Sequence, residues 1–219
     1  MAALATIAVL SGCDRTIDGV AAWTGGSAQS ATGSHQPTTG NRAPAPGIET
    51  TLPEHIPPNA FVCFPGPVGI GIGTVAQVSD PAAPRITLTV PEAWTSEPGQ
   101  ADVALSLSGP DGMTGNVTIT ATARDPASAF ADYAATLARS KADFQVDTMG
   151  VKFCGYSSQK FTGTFLGSQG ALEFADRITH IWTNTGRYLV AVHLEGPQDA
   201  PGFGAAKAAL MQDFAVVIR

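Results

Sequence analysis

The sequence predicts an α+β domain in which an antiparallel β-sheet packs against α-helices. Two observations predict this class. Apolar and polar residues alternate with a period of two over most of the chain after residue 85, and two segments of helical spacing interrupt this alternation. The resulting order of strands, helix, strands and helix favours an antiparallel sheet over the parallel sheet of nucleotide-binding folds.

The first group of strands shows the alternation most clearly. Apolar residues occupy every second position of 86–90 and 103–107, with Thr, Ser and Ala between them, as in half-buried strands. A third strand is predicted over 116–123, and residues 110–112 with Gly115 provide the turn that precedes it. We therefore expect three antiparallel strands in this part of the chain.

One amphipathic helix follows these strands. Asp125 is a favourable N-cap residue, and Pro126 is favoured in the first turn of a helix. The apolar residues that come next recur at helical spacing and include Phe130, Tyr133, Ala134 and Leu137. This pattern predicts a helix that covers one face of the sheet.

Strand patterns then return before a closing helix. They cover residues 144–153, 159–166, 172–183 and 187–195, with a turn at 184–186 between the last two. A closing helix is predicted after Pro201, because apolar residues recur there at steps of three and four, at Phe203, Ala206, Leu210, Phe214 and Val217.

The N-terminal residues predict export and lipidation. The apolar run 1–10 ends in Leu-Ser-Gly-Cys, a pattern that a bacterial lipoprotein peptidase cleaves, with lipid attached to Cys13. A helix of ten residues is only about 15 Å long, too short to span a bilayer. We interpret 1–13 as a lipoprotein signal peptide, and we expect the true start upstream because no Lys or Arg precedes Cys13. An ordinary buried N-terminal segment is the alternative.

Residues 14–60 predict a flexible tether in front of a single α+β domain, 61–219. The tether is rich in Ser, Thr, Gly and Pro and buries too little to offset chain entropy. Its root-mean-square span would be about 35 Å. The net charge of -6, with only 12 Lys plus Arg, excludes a basic surface for nucleic acid. Membrane attachment would then depend on acyl chains at Cys13.

Two further cysteines, Cys63 and Cys154, predict a disulfide. A pair of cysteines in an exported domain is typically oxidised. The bond would close a loop of about 90 residues and stabilise the fold by about 4 to 5 kcal/mol in the chain-entropy model. Two separately buried thiols are the alternative. A metal site is less favoured, because no His lies near either cysteine in sequence.

Several segments together resemble the LpqN/LpqT-type lipoproteins of mycobacteria. They are Val-Pro-Glu-Ala-Trp at 90–94, the helix after Asp125, the strand region 155–164 and Arg-Tyr-Leu-Val at 187–190. The resemblance covers about residues 70–219. It implies a PsbP-like α/β/α sandwich, attachment in the cell envelope, and a non-enzymatic role associated with a protein or an envelope lipid. It implies no catalytic residues.

The predicted hairpin after residue 172 contains a group of titratable side chains. With a two-residue turn at 185–186, His180 would lie diagonal to His193 and Asp176 opposite Glu195, all on one face of the sheet. Such a group could bind a transition metal or transfer protons. A half-solvated polar sheet face is the favoured interpretation.

We therefore expect a non-enzymatic binding or interaction module on the outer face of the cell membrane, with no catalytic residue, cofactor or metal. An envelope lipid, or an envelope or host protein, is the expected partner. Trp94, Phe165 and Trp182 would line an apolar lipid cleft, although each could equally belong to the core. A structural envelope protein is the second alternative, and a hydrolase or metal-dependent enzyme is the third.

Overall fold

The computed structural model describes residues 45–50, 56–65 and 70–219. The predicted signal peptide, the lipidation site Cys13 and residues 14–44 of the predicted tether lie outside this part of the chain. Within it, neither helix has the length and apolar character that crossing a membrane requires.

The described residues form eleven β-strands and two α-helices, arranged in two antiparallel sheets. In chain order the elements are β1 (Ala60–Cys63), β2 (Ile72–Ala76), β3 (Arg85–Val90), β4 (Thr95–Pro98), β5 (Val103–Ser108), β6 (Thr114–Ala121), α1 (Pro126–Ser140), β7 (Ala142–Phe153), β8 (Tyr156–Gly167), β9 (Gly170–Trp182), β10 (Arg187–Pro197), α2 (Phe203–Leu210) and β11 (Ala215–Ile218). The larger sheet has the order β4-β5-β6-β10-β9-β8-β7, and the smaller sheet has the order β1-β11-β3-β2. This arrangement is consistent with the predicted α+β class.

The larger sheet separates two hydrophobic cores. The core beneath α1 contains Ala129, Phe130, Phe161, Phe165, Phe174, Ile178 and Ala191. The core on the other face is shared with the smaller sheet and α2, and it includes Leu105, Val117, Val192, Ile86, Val216, Phe203 and Leu210. Because successive side chains of a strand point to opposite faces, the central strands are buried on both sides.

Helix α1 follows from its local sequence, as predicted. Asp125 caps the N-terminus, because its Oδ1 accepts a hydrogen bond from the Ser128 amide at 3.0 Å and its Oδ2 accepts one from the Ser128 hydroxyl at 2.7 Å. Pro126 occupies the first turn of the helix. Amides in this turn have no acceptor within the helix, so proline, which has no amide hydrogen, loses no hydrogen bond there. The face that packs on the sheet comprises Ala129, Phe130, Tyr133, Ala134 and Leu137.

The predicted closing helix is wrong in its second half. Helix α2 ends at Leu210, whereas Phe214 precedes β11 and Val217 lies within it. Strand β11 pairs with β1 on one side and β3 on the other, so sheet hydrogen bonds replace helical ones. The Phe214 ring lies 4.6 Å from the Phe153 ring, measured between centroids. The steps of three and four therefore reflect burial in the core and not helical periodicity.

The hairpin between β9 and β10 also differs from the predicted one. Trp182 pairs with Arg187, so residues 183–186 form a four-residue loop in place of the two-residue turn. Thr183 closes this loop, because its hydroxyl accepts a hydrogen bond from the Gly186 amide at 3.0 Å and its amide donates to the Gly186 carbonyl at 2.9 Å. The pairing is thus shifted by two residues, which keeps each side chain on its predicted face but changes its partner.

A disulfide between Cys63 and Cys154 joins the end of β1 to the β7–β8 turn, as the cysteine pair predicts. The two Cα atoms are 5.7 Å apart, and the cysteines are separated by 91 positions in sequence. Cys154 and Gly155 both have positive φ, which allows the chain to reverse between β7 and β8. The bond therefore connects the smaller sheet covalently to the larger one.

A first segment of the predicted tether contacts the larger sheet. The Pro46 carbonyl accepts a hydrogen bond from the Gln159 side chain at 2.8 Å, and the Gly47 carbonyl accepts one from the Ser158 amide at 2.9 Å. Gly47 has a φ of +76°, and a Cβ there would collide with the Ser158 carbonyl. Ile48 packs into the core beneath α1. This segment therefore crosses β8 on the side of the sheet that carries α1.

A second segment of the predicted tether contacts the β9–β10 loop. The Ile56 amide donates to Asn184 Oδ1 at 3.0 Å, and Asn184 Nδ2 donates to the Ile56 carbonyl. The Ile56 side chain is buried in the core between the two sheets. Contacts with the domain thus begin before the predicted boundary at residue 60.

Candidate functional site

A groove lies between α2 and the β7–β8 edge of the larger sheet. Its volume is about 480 Å³, within the range of roughly 300–1,000 Å³ that is typical of small-molecule sites. The strand side includes Met149, Lys160 and Thr162, and the helix side includes Lys207, Ala208 and Met211. We call this site the α2 groove.

One row of the larger sheet determines which side chains reach the α2 groove. Met149 of β7 pairs with Lys160 of β8, which pairs with Arg177 of β9, so all three side chains point to the face that α2 covers. The row runs from solvent into the core, because Met149 is 58% exposed and Arg177 is 1% exposed. Lys160 lies between them and is half-buried.

The buried guanidinium of Arg177 places a positive charge at the inner end of this row. Its Nη2 lies 2.7 Å from Asp213 Oδ1, and its Nη1 donates to the Met211 carbonyl at 3.1 Å. The guanidinium carbon also lies 4.7 Å from the centroid of the Phe153 ring. Burial lowers the pKa of Arg177, whereas the hydrogen bond with Asp213 raises it. These contacts attach the residues that follow α2 to the sheet.

Lys160 and Lys207 add two positive charges to the α2 groove. Among the described residues, neither ammonium forms an ion pair. Burial lowers the pKa of Lys160 and the charge of Arg177 lowers it further, while Asp213 has the opposite effect. Glu173 interacts with Lys207 at longer range, and burial raises the pKa of Glu173. The groove thus combines an apolar surface with two lysines, and Asp147 and Asp176 also line it.

A second cluster of titratable side chains lies beneath α1. The Tyr133 hydroxyl donates to Asp176 Oδ2 at 2.9 Å, and Asp176 Oδ1 lies 2.5 Å from His193 Nδ1. The other ring nitrogen of His193, Nε2, lies 3.2 Å from Glu195 Oε2. That oxygen also accepts a hydrogen bond from Lys141 Nζ at 2.9 Å. We call these five residues the α1 network.

The α1 network favours a protonated His193. Burial lowers the pKa of His193, but hydrogen bonds to Asp176 and Glu195 outweigh burial and raise this pKa to about 9. The hydrogen bond from His193 lowers the pKa of Glu195 to about 2, against the effect of burial. Burial, followed by the charge of Asp176, raises the pKa of Tyr133. At neutral pH the imidazolium donates from both nitrogens and has no lone pair for a proton or a metal.

The structure brings His193 together with the two predicted carboxylates but leaves His180 apart. His180 pairs with Leu189, four positions from His193 along β10. The prediction that His180 lies diagonal to His193 is therefore wrong. Its Nε2 lies 3.1 Å from the Arg124 carbonyl oxygen, and burial lowers its pKa. Within the described part of the chain, no group of three or more His, Cys, Asp or Glu residues is arranged to hold a metal ion.

The three aromatic residues predicted to line a cleft are divided between the two hydrophobic cores. Trp94 and Trp182 belong to the core between the two sheets and are 8% and 7% exposed. Phe165 belongs to the core beneath α1, where Lys141 Nζ lies 3.8 Å from its ring centroid. The structure therefore does not bring these three side chains into one site, and a ligand-lining role for any of them stays a prediction.

The groove residues were not predicted from the sequence. Met149 follows the alternation of β7, but alternation does not distinguish a face that binds a ligand from one that faces solvent. Lys207 and Met211 reach β7 and β8 only through contacts between segments that are far apart in sequence. The one local signal is an exposed methionine within a strand pattern.

These features define an antiparallel two-sheet α+β protein with a ligand-sized surface groove, and similar folds occur among solved structures. One is the crystal structure of LpqN, involved in cell envelope biogenesis of Mycobacterium tuberculosis. It aligns with a TM-score of 0.53 and 16% identity, covering 67% of this chain and 91% of that chain. The chain also aligns with PA94, a protein of unknown function from Pseudomonas aeruginosa, but with a TM-score of only 0.38, 13% identity, and coverage of 65% and 96%. No family model and no curated protein matches the sequence. The LpqN alignment supports a relation in fold.

Proposed function

We propose that this protein is a cell-envelope lipoprotein of the LpqN/LpqT type that binds an amphiphilic envelope lipid without catalysing a reaction. The α2 groove carries this proposal, because it has the volume of a small-molecule site and an apolar lining that includes Met149, Ala208 and Met211. The related fold of LpqN, which is involved in cell envelope biogenesis, supports a role in the envelope.

The proposed location is the outer face of the cell membrane. The sequence pattern that ends at Cys13 supports lipidation there, and two acyl chains would be enough for stable anchoring. The disulfide between Cys63 and Cys154 is typical of exported proteins. The order of α1, the larger sheet and a layer that contains α2 supports the proposed PsbP-like α/β/α sandwich.

The α1 network supports a non-enzymatic role. Its two carboxylates, its imidazole and its ammonium group are paired with one another. A general base must accept a proton near the working pH, and His193 is already protonated there. We infer that these residues stabilise the core beneath α1.

Strand β7 favours a second candidate function, the binding of a protein partner. It is the last strand of the larger sheet, and its outer edge pairs with no other strand of the described residues. Its 12 residues include the exposed Val146 and Met149. A free strand edge of this length can accept a strand from another chain.

Native mass spectrometry tests the lipid-binding proposal. The full chain with Cys13→Ser, which cannot be lipidated, would be purified from a mycobacterial host under oxidising conditions. We expect a lipid to copurify and to be lost on mild organic extraction. Met149→Asp should lower the lipid-bound fraction several-fold, because it places a charge on the apolar wall of the α2 groove.

Leu166→Asp is the matched control. Leu166 is also an exposed apolar residue of the larger sheet, at 51% exposure, but it does not line the α2 groove. We expect this variant to retain the lipid. A lipid-free parent chain would contradict the proposal and would direct the search to protein partners at β7.

A further inference from the structure

We infer that the α2 groove selects a lipid with one acyl chain and an anionic head group, and that Lys160 and Lys207 bind this head group. The inference rests on the proposed function and names the class of its ligand. The acyl chain would lie along Met149, Ala208 and Met211, which line the groove.

The charges at the groove favour an anion. Lys160 lies directly opposite Arg177 on the neighbouring strand. Burial lowers the pKa of Lys160 most, and the charge of Arg177 lowers it further. The carboxylate of Asp213, whose charge raises the pKa of Lys160, lies 2.7 Å from the Arg177 guanidinium and is engaged there. In the described part of the chain, Lys160 therefore has no ion-pair partner of its own. A ligand anion would supply this partner, and partial burial would strengthen the pair.

Asp147 is a carboxylate that competes with such a ligand, whereas Asp176, which also lines the groove, is engaged by Tyr133 and His193. It lines the groove two positions before Met149 and pairs with Thr162, so it lies diagonal to Lys160 across β7 and β8. It forms no ion pair with Lys160 among the described contacts. Its charge would repel the head group toward the lysines, and removal of that charge should strengthen anion binding.

The apolar part of the groove fits one acyl chain. Two methionines, the exposed Met149 and the buried Met211, form opposite sides of it. Methionine side chains are flexible and adapt to an extended hydrocarbon. The volume of about 480 Å³ lies in the lower half of the range of roughly 300–1,000 Å³ for small-molecule sites, which favours one chain over several.

Calorimetric titration of the full chain tests this selectivity. The Cys13→Ser protein, freed of copurified lipid, would be titrated with palmitate, monopalmitoylglycerol and hexadecyltrimethylammonium, each below its micelle concentration. The three probes share one chain length and differ in head-group charge. We expect palmitate to bind about tenfold more tightly than the neutral probe, as one partly buried ion pair predicts. The cationic probe should bind most weakly.

Variants of the groove separate the charge from the apolar contact. Lys160→Met and Lys207→Met should each reduce the preference for palmitate while they preserve binding of monopalmitoylglycerol. Lys160→Arg should retain the preference, and Asp147→Asn should increase the affinity for palmitate. Lys152→Met is the matched control, because Lys152 is exposed on the opposite face of β7 and does not line the groove.

Three results would overturn the inference. Equal affinity for palmitate and monopalmitoylglycerol would remove the selectivity but leave lipid binding in place. A preference for palmitate that persists in both Lys160→Met and Lys207→Met would show that these two lysines do not bind the head group. If none of the three probes binds the parent chain, the proposed function fails together with the inference.

Discussion

At the scale of single residues, His193 determines the charge balance of the core beneath α1. Asp176 is fully buried, and its Oδ1 lies 2.5 Å from His193 Nδ1. A buried carboxylate is costly unless a counter-charge and hydrogen bonds satisfy it. The imidazolium of His193, together with the Tyr133 hydroxyl, satisfies Asp176. Loss of the proton on His193 should therefore destabilise the fold.

We expect the free energy of unfolding to fall as the pH rises from about 6.5 to about 9.5. The pKa of His193 is raised from 6.5 to about 9 in the folded protein. Its contribution is therefore complete below the unfolded value and is lost as the pH passes through the folded one. The shift corresponds to about 3 kcal/mol. Urea unfolding at several pH values across this window measures the loss.

Two histidine variants, one as the test and one as its control, determine whether His193 causes this pH dependence. His193→Gln should be less stable than the parent at pH 6.5 and should lose most of the slope above it, because Asp176 no longer contacts a cation. His180→Gln should keep the slope, since burial lowers the pKa of His180 and its titration affects stability only below that window. A parent-like slope in His193→Gln would contradict the assignment.

At the scale of elements, local sequence determines α1 but not the end of the chain. The cap at Asp125, the proline in the first turn and the apolar spacing all lie within one segment, so the helix could be predicted. Strand β11 depends on pairing with β1 and β3, which lie far away in sequence. Its helical spacing is a by-product of burial, and no local pattern reveals the sheet partners.

The β9–β10 hairpin shows the same limit for the candidate site. Alternation placed His180 and His193 on one face, and the observed register confirms this. The pairing depends on the loop, which comprises residues 183–186 in place of the predicted turn at 185–186, and Asn184 of this loop binds the Ile56 backbone. The α2 groove was not predicted, because its two sides come from distant parts of the chain.

We expect Asn184→Ala to detach the segment around Ile56 from the β9–β10 loop. The substitution removes two hydrogen bonds to the Ile56 backbone, at a cost of about 1–3 kcal/mol. Hydrogen exchange should be faster at the amides of Ile56, Asn59 and Ala60, and urea should unfold the variant at a lower concentration. Thr185→Ala is the control, because Thr185 is exposed and its hydrogen bonds are with Thr183 and not with this segment. Unchanged exchange at Ile56 would show that the loop does not anchor it.

At the scale of the whole molecule, the disulfide adds a covalent link between the two sheets, which also meet through packing and through hydrogen bonds such as the one from the Tyr188 hydroxyl to Asp80 Oδ2. Cys63 ends a strand of the smaller sheet, and Cys154 lies in the turn between two strands of the larger sheet. A covalent bond between residues so distant in sequence restricts the unfolded chain strongly. Its effect on stability should therefore extend to both sheets.

We expect the double variant Cys63→Ser, Cys154→Ser to lose about 4–5 kcal/mol of stability in the chain-entropy model, because 91 positions separate the two cysteines. Urea unfolding with and without reductant measures this loss. The parent should become less stable on reduction, and the double variant should not respond. Cys13→Ser is the matched control and should keep the sensitivity to reductant. A reductant effect in the double variant would contradict the assignment.

The attachment of residues 46–49 to β8 also determines how the domain resists a mechanical pull. If Cys13 anchors the chain to the membrane, a load that arrives from that side is borne first by the Pro46 and Gly47 hydrogen bonds to β8. Only after these break does the load reach the contact between Ile56 and Asn184, then the pairing of β1 with β11, and finally the covalent bond at Cys63. The domain thus has two breakable attachments in front of its first strand, so residues 46–56 can detach under tension while both sheets stay intact.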